Sequence, residues 1–285
     1  MKTFSKLPSQ NENSSLIVCP LCGEHKFKAL WSVETSVFVK CPKCKLVYQN
    51  PQPLAIDVID RYDETYFKYE IENEKSFLNL ILLGLKDIKF DFNPVSSNHG
   101  NILDIGCATG LFLEYMKKNG WNTFGVEVCE SAGNYANNIR GLDVFIGTIE
   151  NAPYKDHFFD VIHLSHVIEH ITDITLFLES ISRVLKPGGV VYCTTPNISG
   201  FQAKLFKGKW RSAIPDHMIL FSIKTIKKAF RDRGFYMEKH KTWGGLCANS
   251  GYPKLIKTVL DKTSKIFGFG DVVIIKALKP TNYST

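Results

Sequence analysis

From residue 101 onward the chain switches repeatedly between two hydrophobic periods. Ile102, Leu103 and Ile105 make a short apolar run, and Phe112, Leu113 and Met116 then recur on one side of a helical wheel. Short runs bounded by turn residues predict buried strands, while recurrence at i, i+3 and i+4 predicts helices that pack by one face. On that basis strands are predicted at 102–105, 123–128, 144–146, 159–164 and 190–194, and helices at 111–119, 132–138 and 174–185. The last helix is the cleanest, with apolar residues at 174, 177, 178, 181 and 185. Asn119-Gly120 and Lys186-Pro187-Gly188-Gly189 supply stop signals. This alternation predicts an α/β class with a mostly parallel sheet covered by helices. A ligand is then expected at the carboxyl ends of the strands, near the point where strand order reverses.

The flanking segments read differently. Residues 70–90 look helical, with Phe77, Leu78, Ile81, Leu82, Leu85 and Ile88 on one broad face, followed by a loop at 93–100. Tyr62, Tyr66, Phe67 and Tyr69 form an aromatic patch that either packs on the main domain or walls a substrate pocket. Beyond residue 196, segment 198–210 is a candidate lid. Phe201, Phe206, Trp210 and the Thr242-Trp243-Gly244-Gly245 turn either enclose an apolar or ring-shaped acceptor or pack an insertion. A helix beginning with Ile223, Ile226, Lys227 and Phe230, a last strand at 272–275 and a frayed end around Tyr283 complete the chain. The expected organisation is a metal module at 1–50, a helical connector at 51–96, and a main domain at 97–285 with an insertion at about 197–220.

Composition narrows this only modestly. The chain has 285 residues, 44% hydrophobic and 22% charged, as an ordinary globular protein does. No run reaches the roughly 18 apolar residues of a membrane helix. The first fifteen residues lack the apolar core of a secretory signal, so a cytoplasmic location without membrane partners is expected. The formal charge of +7 comes from scattered lysines with no Arg-rich run, which reads as a solvated basic surface and argues against a nucleic-acid partner.

Four of the eight cysteines are paired, as Cys19-Pro20-Leu21-Cys22 and Cys41-Pro42-Lys43-Cys44, with eighteen residues between the pairs. Two such turns facing each other make a tetrahedral sulfur site that suits structural Zn2+. The spacer is long enough for a hairpin, 27–31 out and 36–40 back. A module this small has little core of its own, so the metal is expected to supply its folding energy. Cys107, Cys129, Cys193 and Cys247 are isolated and expected to be inert.

The chemistry centres on Asp104-Ile105-Gly106-Cys107-Ala108-Thr109-Gly110, a strand running into a glycine-rich turn and a helix. Glu127 follows 23 residues after Asp104, near the end of the second strand, where a carboxylate can accept hydrogen bonds from both ribose hydroxyls of a nucleoside. Asp104 either orients the loop or binds the ligand's amino group. Ala108 stands where a dinucleotide fingerprint keeps glycine, and no Walker lysine follows Gly110, so pyrophosphate and triphosphate ligands are disfavoured.

Together with Gly125-Val126-Glu127, Phe159-Asp160-Val161-Ile162, Val167-Ile168-Glu169-His170-Ile171 and Leu185-Lys186-Pro187-Gly188-Gly189, this loop resembles the ordered motifs of class I S-adenosylmethionine-dependent methyltransferases. The nearest-looking group contains the ubiquinone-biosynthesis O-methyltransferases. The resemblance covers about residues 97–240 and implies a Rossmann-like seven-stranded sheet with S-adenosyl-L-methionine (SAM) as cofactor. It implies that Asp104, Gly106 and Gly110 hold the methionine end and Glu127 the ribose. Thr148 takes the position of an adenine-binding aspartate, which leaves the adenine to the Ile149 backbone. Cys107, Val128 and Ser165 complete the implied cofactor set. The paired cysteines resemble those of certain sugar C-methyltransferases, which carry a further carboxyl-terminal domain that this chain is expected to lack.

Methyl transfer to a hydroxyl needs a base, and histidine suits that role near neutral pH. His166, His170 and His217 are the candidates, each with a structural alternative, whereas His163 reads as a core residue. The expected enzyme methylates a small-molecule acceptor as a monomer or homodimer. RNA, protein or sugar-carbon acceptors and a non-catalytic assembly role are the alternatives.

Overall fold

The computed structural model describes residues 14–92, 100–244 and 268–281. The loop expected at 93–100 (save Gly100), Gly245, Cys247 and Tyr283 lie outside them. A two-residue strand β1 (Ser14–Ser15) precedes the first cysteine turn. A hairpin of β2 (Lys28–Val33) and β3 (Ser36–Lys40) follows, then the second cysteine turn, β4 (Val47–Gln49) and β5 (Gln52–Pro53). The connector holds α1 (Ala55–Ile59) and the long α2 (Glu64–Asp87). Helix α2 starts six residues before the expected 70 because the Asp63 carboxylate caps it, accepting from the Thr65 and Tyr66 backbone N–H groups at 2.8 and 3.1 Å. That start places Tyr66, Glu70 and Glu74 on successive helical turns.

The main sheet runs β6 (Asn101–Ile105), α3 (Leu111–Lys118), β7 (Asn122–Glu127), α4 (Glu130–Asn138), β8 (Asp143–Ile146), β9 (Phe159–Ser165), α5 (Ile174–Val184) and β10 (Leu185–Pro196). After α6 (Phe201–Phe206) come β11 (Ile219–Leu220), α7 (Ile223–Arg231), β12 (Tyr236–Trp243) and β13 (Val272–Leu278). Seven described strands stand in the order β12-β13-β10-β9-β6-β7-β8. Strands β10, β9, β6, β7 and β8 are parallel, and β13 is antiparallel to both neighbours. The order reverses at β6, so the β6 and β9 tips open the ligand crevice. The Rossmann-like α/β architecture expected from the sequence is therefore observed.

Two features depart from the sequence reading. Leu185 is already extended and pairs with Phe159, so β10 begins before the Lys-Pro-Gly-Gly turn and carries an irregularity up to Val190. The cysteine module also has a core after all, because it shares the main domain's. Cys19, Val39, Cys41, Leu46 and Tyr48 are buried in one cluster with Ile168, Phe177, Met218, Phe221 and Ile226. The join is a short β-ladder: β11 pairs antiparallel with β4, Ile219 opposite Tyr48 and Leu220 opposite Val47, completing a sheet ordered β11-β4-β3-β2. A second cluster packs α2 and α3 on the main sheet through Leu85, Ile88, Phe112, Met116, Trp121 and Tyr192. Trp243 joins it against Gly84, and Trp210 is buried with its Nε1 donating to Asp271 at 2.6 Å. Both tryptophans therefore pack the fold. Among the described residues no helix is long and apolar enough to cross a membrane.

Candidate functional site

The glycine loop is shaped by close approach. Gly106 and Gly110 have φ of +71° and +79°, and a Cβ on either would lie 2.5 Å from a side-chain carbon, of Val167 and Leu142 respectively. Only glycine takes both conditions without strain. Ala108 also enters the left-handed region, at φ +47°. Glu127 ties this loop to the next strand. Its Oε2 accepts from the Ala108 N–H at 2.8 Å and its Oε1 from the Cys129 N–H at 2.9 Å. Burial raises the Glu127 carboxyl from its ordinary range, opposed by those backbone donors. A carboxylate has about four acceptor sites, so two bonds leave capacity for a diol.

The other expected cofactor residues sort by what they can offer. Asp104 is buried and its Oδ1 lies 2.6 Å from His163 Nδ1 across the β6–β9 pair. This buried pair ties the end of β6 to β9 just before the glycine loop. Cys107 turns its thiol into the cluster of Leu113, Ala136, Leu142 and Val144, leaving only backbone for a ligand. Ile149 is likewise buried, with Thr148 and Val128 partly exposed beside it, and Gly147 N–H donates to the Glu127 carbonyl at 2.8 Å. Ser165 ends β9 opposite Thr194.

Helix α2 lies across the loop. Glu74 accepts from Thr109 Oγ1 at 2.7 Å and from Arg140 at 2.7 Å, and Arg140 also pairs with Glu114. Ser131 donates to Glu64 at 2.6 Å, and Phe67 packs on Tyr135 with ring centroids 5.8 Å apart. Within the aromatic patch, Tyr62 packs edge-on to Tyr66 with ring centroids 4.9 Å apart, and Tyr69 packs on Phe77. Burial first, then the Glu127 charge, raises the hydroxyls of Tyr62 and Tyr66 and pushes Glu70 up to about 7.

On the other side of the β9 tip stand the histidines. His166, at φ +57°, sets its Nδ1 3.0 Å from Glu169 Oε1, and Thr195 Oγ1 donates to Glu169 Oε2 at 2.9 Å. Burial would raise the fully enclosed Glu169, but the His166 hydrogen bond and the neighbouring histidines hold it down to about 2. His170 Nδ1–H donates to the Asp216 carbonyl at 2.8 Å, and His217 Nδ1–H to the Ser212 carbonyl at 2.8 Å. Each bond fixes the tautomer and leaves Nε2 as the acceptor. Burial lowers both imidazoles, His217 to about 4, so both are neutral at pH 7. The two rings are 4.8 Å apart, and Tyr62 stacks edge-on to His170 at 6.1 Å. Ligand atoms of Glu169, His170 and His217 all lie within 4.8 Å of one another, a set able to hold a cation. The structure thus brings all three candidate histidines to one rim.

The four paired cysteines converge too. Cys19 and Cys44 sulfurs are 3.5 Å apart, and Cys22 and Cys41 3.6 Å. Those spacings are far beyond a disulfide and match the ~3.7 Å edge of a tetrahedron with ~2.3 Å metal–sulfur bonds. The Cys44 thiol is held down to about 5 by the hydrogen bond from Cys19. The donor set fits a dication of the zinc type, and four sulfurs leave it no open position.

Sequence reasoning missed Glu70, Glu74 and Gln49, and gave Glu169 no role. Only Glu169 had a local signal, its place inside the histidine motif.

The methyltransferase-domain family matches residues 83–240. A ubiquinone biosynthesis O-methyltransferase of Bartonella tribocorum is 32% identical over 118 residues, covering 39% of this chain and 48% of that one. Its namesake in Nitrobacter winogradskyi is 34% identical over 119 residues, covering 38% and 44%. The chain spans about half the length of these curated relatives. An uncharacterized protein of Methanocaldococcus jannaschii is 26% identical over 230 residues, 79% of this chain and 100% of that one. Among solved structures, the complex between the Haloferax volcanii Trm112 methyltransferase activator and a putative methyltransferase contains a chain that matches with a TM-score of 0.61 at 19% identity, over 80% of this chain and 100% of that one. A SAM-dependent methyltransferase of Thermotoga maritima, described as a possible histamine N-methyltransferase, matches with a TM-score of 0.53 at 24% identity, over 75% and 98%. At these identities the structural likenesses bear on fold.

Proposed function

Because the chain belongs to the methyltransferase-domain family, we propose that it moves a methyl group from SAM to a hydroxyl oxygen of a small-molecule acceptor. One observation carries this reading. A carboxylate tied to the glycine loop and two histidines with free Nε2 atoms meet at the same end of the sheet. The names of the O-methyltransferase relatives support oxygen as the nucleophile.

SAM, when bound, supplies a methyl group already activated on a sulfonium. The protein's task is to hold the reactants in line, exclude water and remove the acceptor's proton. Glu127 would hold the ribose and the backbone of 106–110 the methionine end, with Thr148 and the Ile149 backbone at the adenine. Tyr62, Tyr66 and Glu70 would close the cleft, and the carboxylates of Glu70 and Glu127 favour a cationic ligand there. The acceptor's proton goes to Nε2 of His217 or His170, and the buried Glu169 carboxylate stabilises the imidazolium that forms. His166 orients Glu169. Cys19, Cys22, Cys41 and Cys44 would hold a structural Zn2+.

A second reading rests on the 4.8 Å cluster of Glu169, His170 and His217. A divalent cation there would lower the acceptor hydroxyl's pKa and remove the need for a histidine base. The test is transfer of label from methyl-labelled SAM to hydroxylated aromatics, nucleotide sugars, RNA and protein. An O-methyl ether of a small molecule is expected, and labelling of RNA or protein alone would contradict the proposal. Activation by added Mg2+ or Mn2+ would favour the cation reading.

A further inference from the structure

We infer that Gln49 of the cysteine module is a positioning residue for the acceptor side of the cleft, fixing the segment that carries His217 and orients His170. The inference rests on the acceptor site proposed above. Gln49 is the last residue of β4 and is 1% exposed. Its side-chain amide donates to the Pro215 carbonyl at 2.6 Å and to the His217 carbonyl at 2.9 Å. Its backbone N–H donates to the Met218 carbonyl at 2.9 Å, and β4 then pairs with Ile219 and Leu220 of β11. The carbonyl between the two bound by the amide belongs to Asp216, and it is the one that receives His170 Nδ1–H. One side chain therefore holds both flanks of the group that sets the His170 tautomer, and it holds the backbone of His217 itself.

The residue type follows from burial. An amide NH2 has two donors, and both are used here, one on the His217 carbonyl and one on the Pro215 carbonyl that Arg61 also reaches. A lysine would bring a charge into this buried place, and an aliphatic residue would take this donor from both carbonyls. The second cysteine turn ends at Cys44, five residues before Gln49, so the cysteine turn, the short strand and the His217 segment form one continuous path. On the open side, Arg61 donates to the Pro215 carbonyl at 3.2 Å and to Asp216 Oδ1 at 2.6 Å, a weaker, exposed brace.

Gln49→Met keeps the side-chain length and removes both donors. The readout is the imidazole 15N spectrum of the full-length, metal-loaded protein, with His217 and His170 assigned by the signals lost in His217→Asn and His170→Asn. In the wild type each shows a single Nδ1–H tautomer. In Gln49→Met both are expected to lose that signature, while metal content and SAM affinity by calorimetry stay at the wild-type values. Unchanged imidazole signals in folded Gln49→Met overturn the inference. So does a change that appears only with loss of metal or of SAM binding, because Gln49 would then be merely structural. If Gln49→Met is not recovered folded, Gln49→Asn, which keeps the amide but falls one methylene short, is judged by the same criteria. No acceptor is needed, so failure of the proposed reaction is read separately, by full turnover in His217→Asn.

Discussion

The two sides of the cleft are held by different kinds of parts. On the proposed cofactor side a strand, a glycine turn and the carboxylate of Glu127 are joined mainly by backbone donors, and the pieces lie within about thirty residues of one another. On the proposed acceptor side, Gln49, Tyr62, Glu169, His170 and His217 come from four separated segments, and side chains make most of the connections. Backbone geometry tolerates many side chains and suits a constant cofactor. A rim assembled from distant side chains can be changed one residue at a time without disturbing the glycine loop.

The comparison can be broken most severely at the cysteines. Cys41→Ser should abolish binding of the proposed Zn2+, which contributes on the order of 10 kcal/mol to folding in isolated zinc modules. Because this module shares the main core, the thermal midpoint of the whole chain should fall. A metal-free variant with an unchanged midpoint would show that the two sides are not joined as described. Next in size, His217→Gln should lower kcat by about 10²–10⁴-fold if His217 is the base, with cofactor affinity unchanged in calorimetry. A rate within a few-fold of wild type would move the proton to His170 and would count against a cation held by Glu169, His170 and His217.

The pH dependence sharpens the same contrast. Burial depresses His217 to about 4 in the folded protein, against about 6.5 when unfolded. The unfolded chain then takes up the proton first. Stability is fully present above pH ~6.5 and is lost as pH falls toward 4, by roughly 3 kcal/mol at about 1.4 kcal/mol per pKa unit. Denaturant midpoints across that window should fall less steeply in His217→Gln, and identical slopes would place the titration elsewhere. The smallest effect belongs to Arg61→Ala. Its ion pair with Asp216 is exposed, so a loss of no more than about 1 kcal/mol in unfolding free energy is expected, and a larger loss would make Arg61 a principal brace.

What could be read from the sequence follows the same division. The β6–α3–β7 unit, Glu127 and the cysteine turns were legible because their signals are local: period, glycine spacing and paired thiols. The buried His163 was also legible, though its partner Asp104 depended on strand register. Segments that rely on long-range pairing were not. Strands of three and two residues, Val47–Gln49 and Ile219–Leu220, carry no period, and nothing local in Gln49 shows that its amide meets carbonyls more than 160 residues away. Trp210 and Trp243 were ambiguous for a related reason. An aromatic side chain in an insertion reads alike whether it faces a ligand or a core, and here Asp271 and Gly84 decide for packing.

The central claim is that SAM binds across the β6 and β7 tips through Glu127. Calorimetric titration of SAM into the wild type, Glu127→Ala and His217→Ala tests it most directly. The account predicts binding by the wild type, a loss of about 2–4 kcal/mol (roughly 30- to 1,000-fold) in Glu127→Ala from losing charged hydrogen bonds, and little change in His217→Ala. No binding by folded wild type, or equal losses in the two variants, would contradict it.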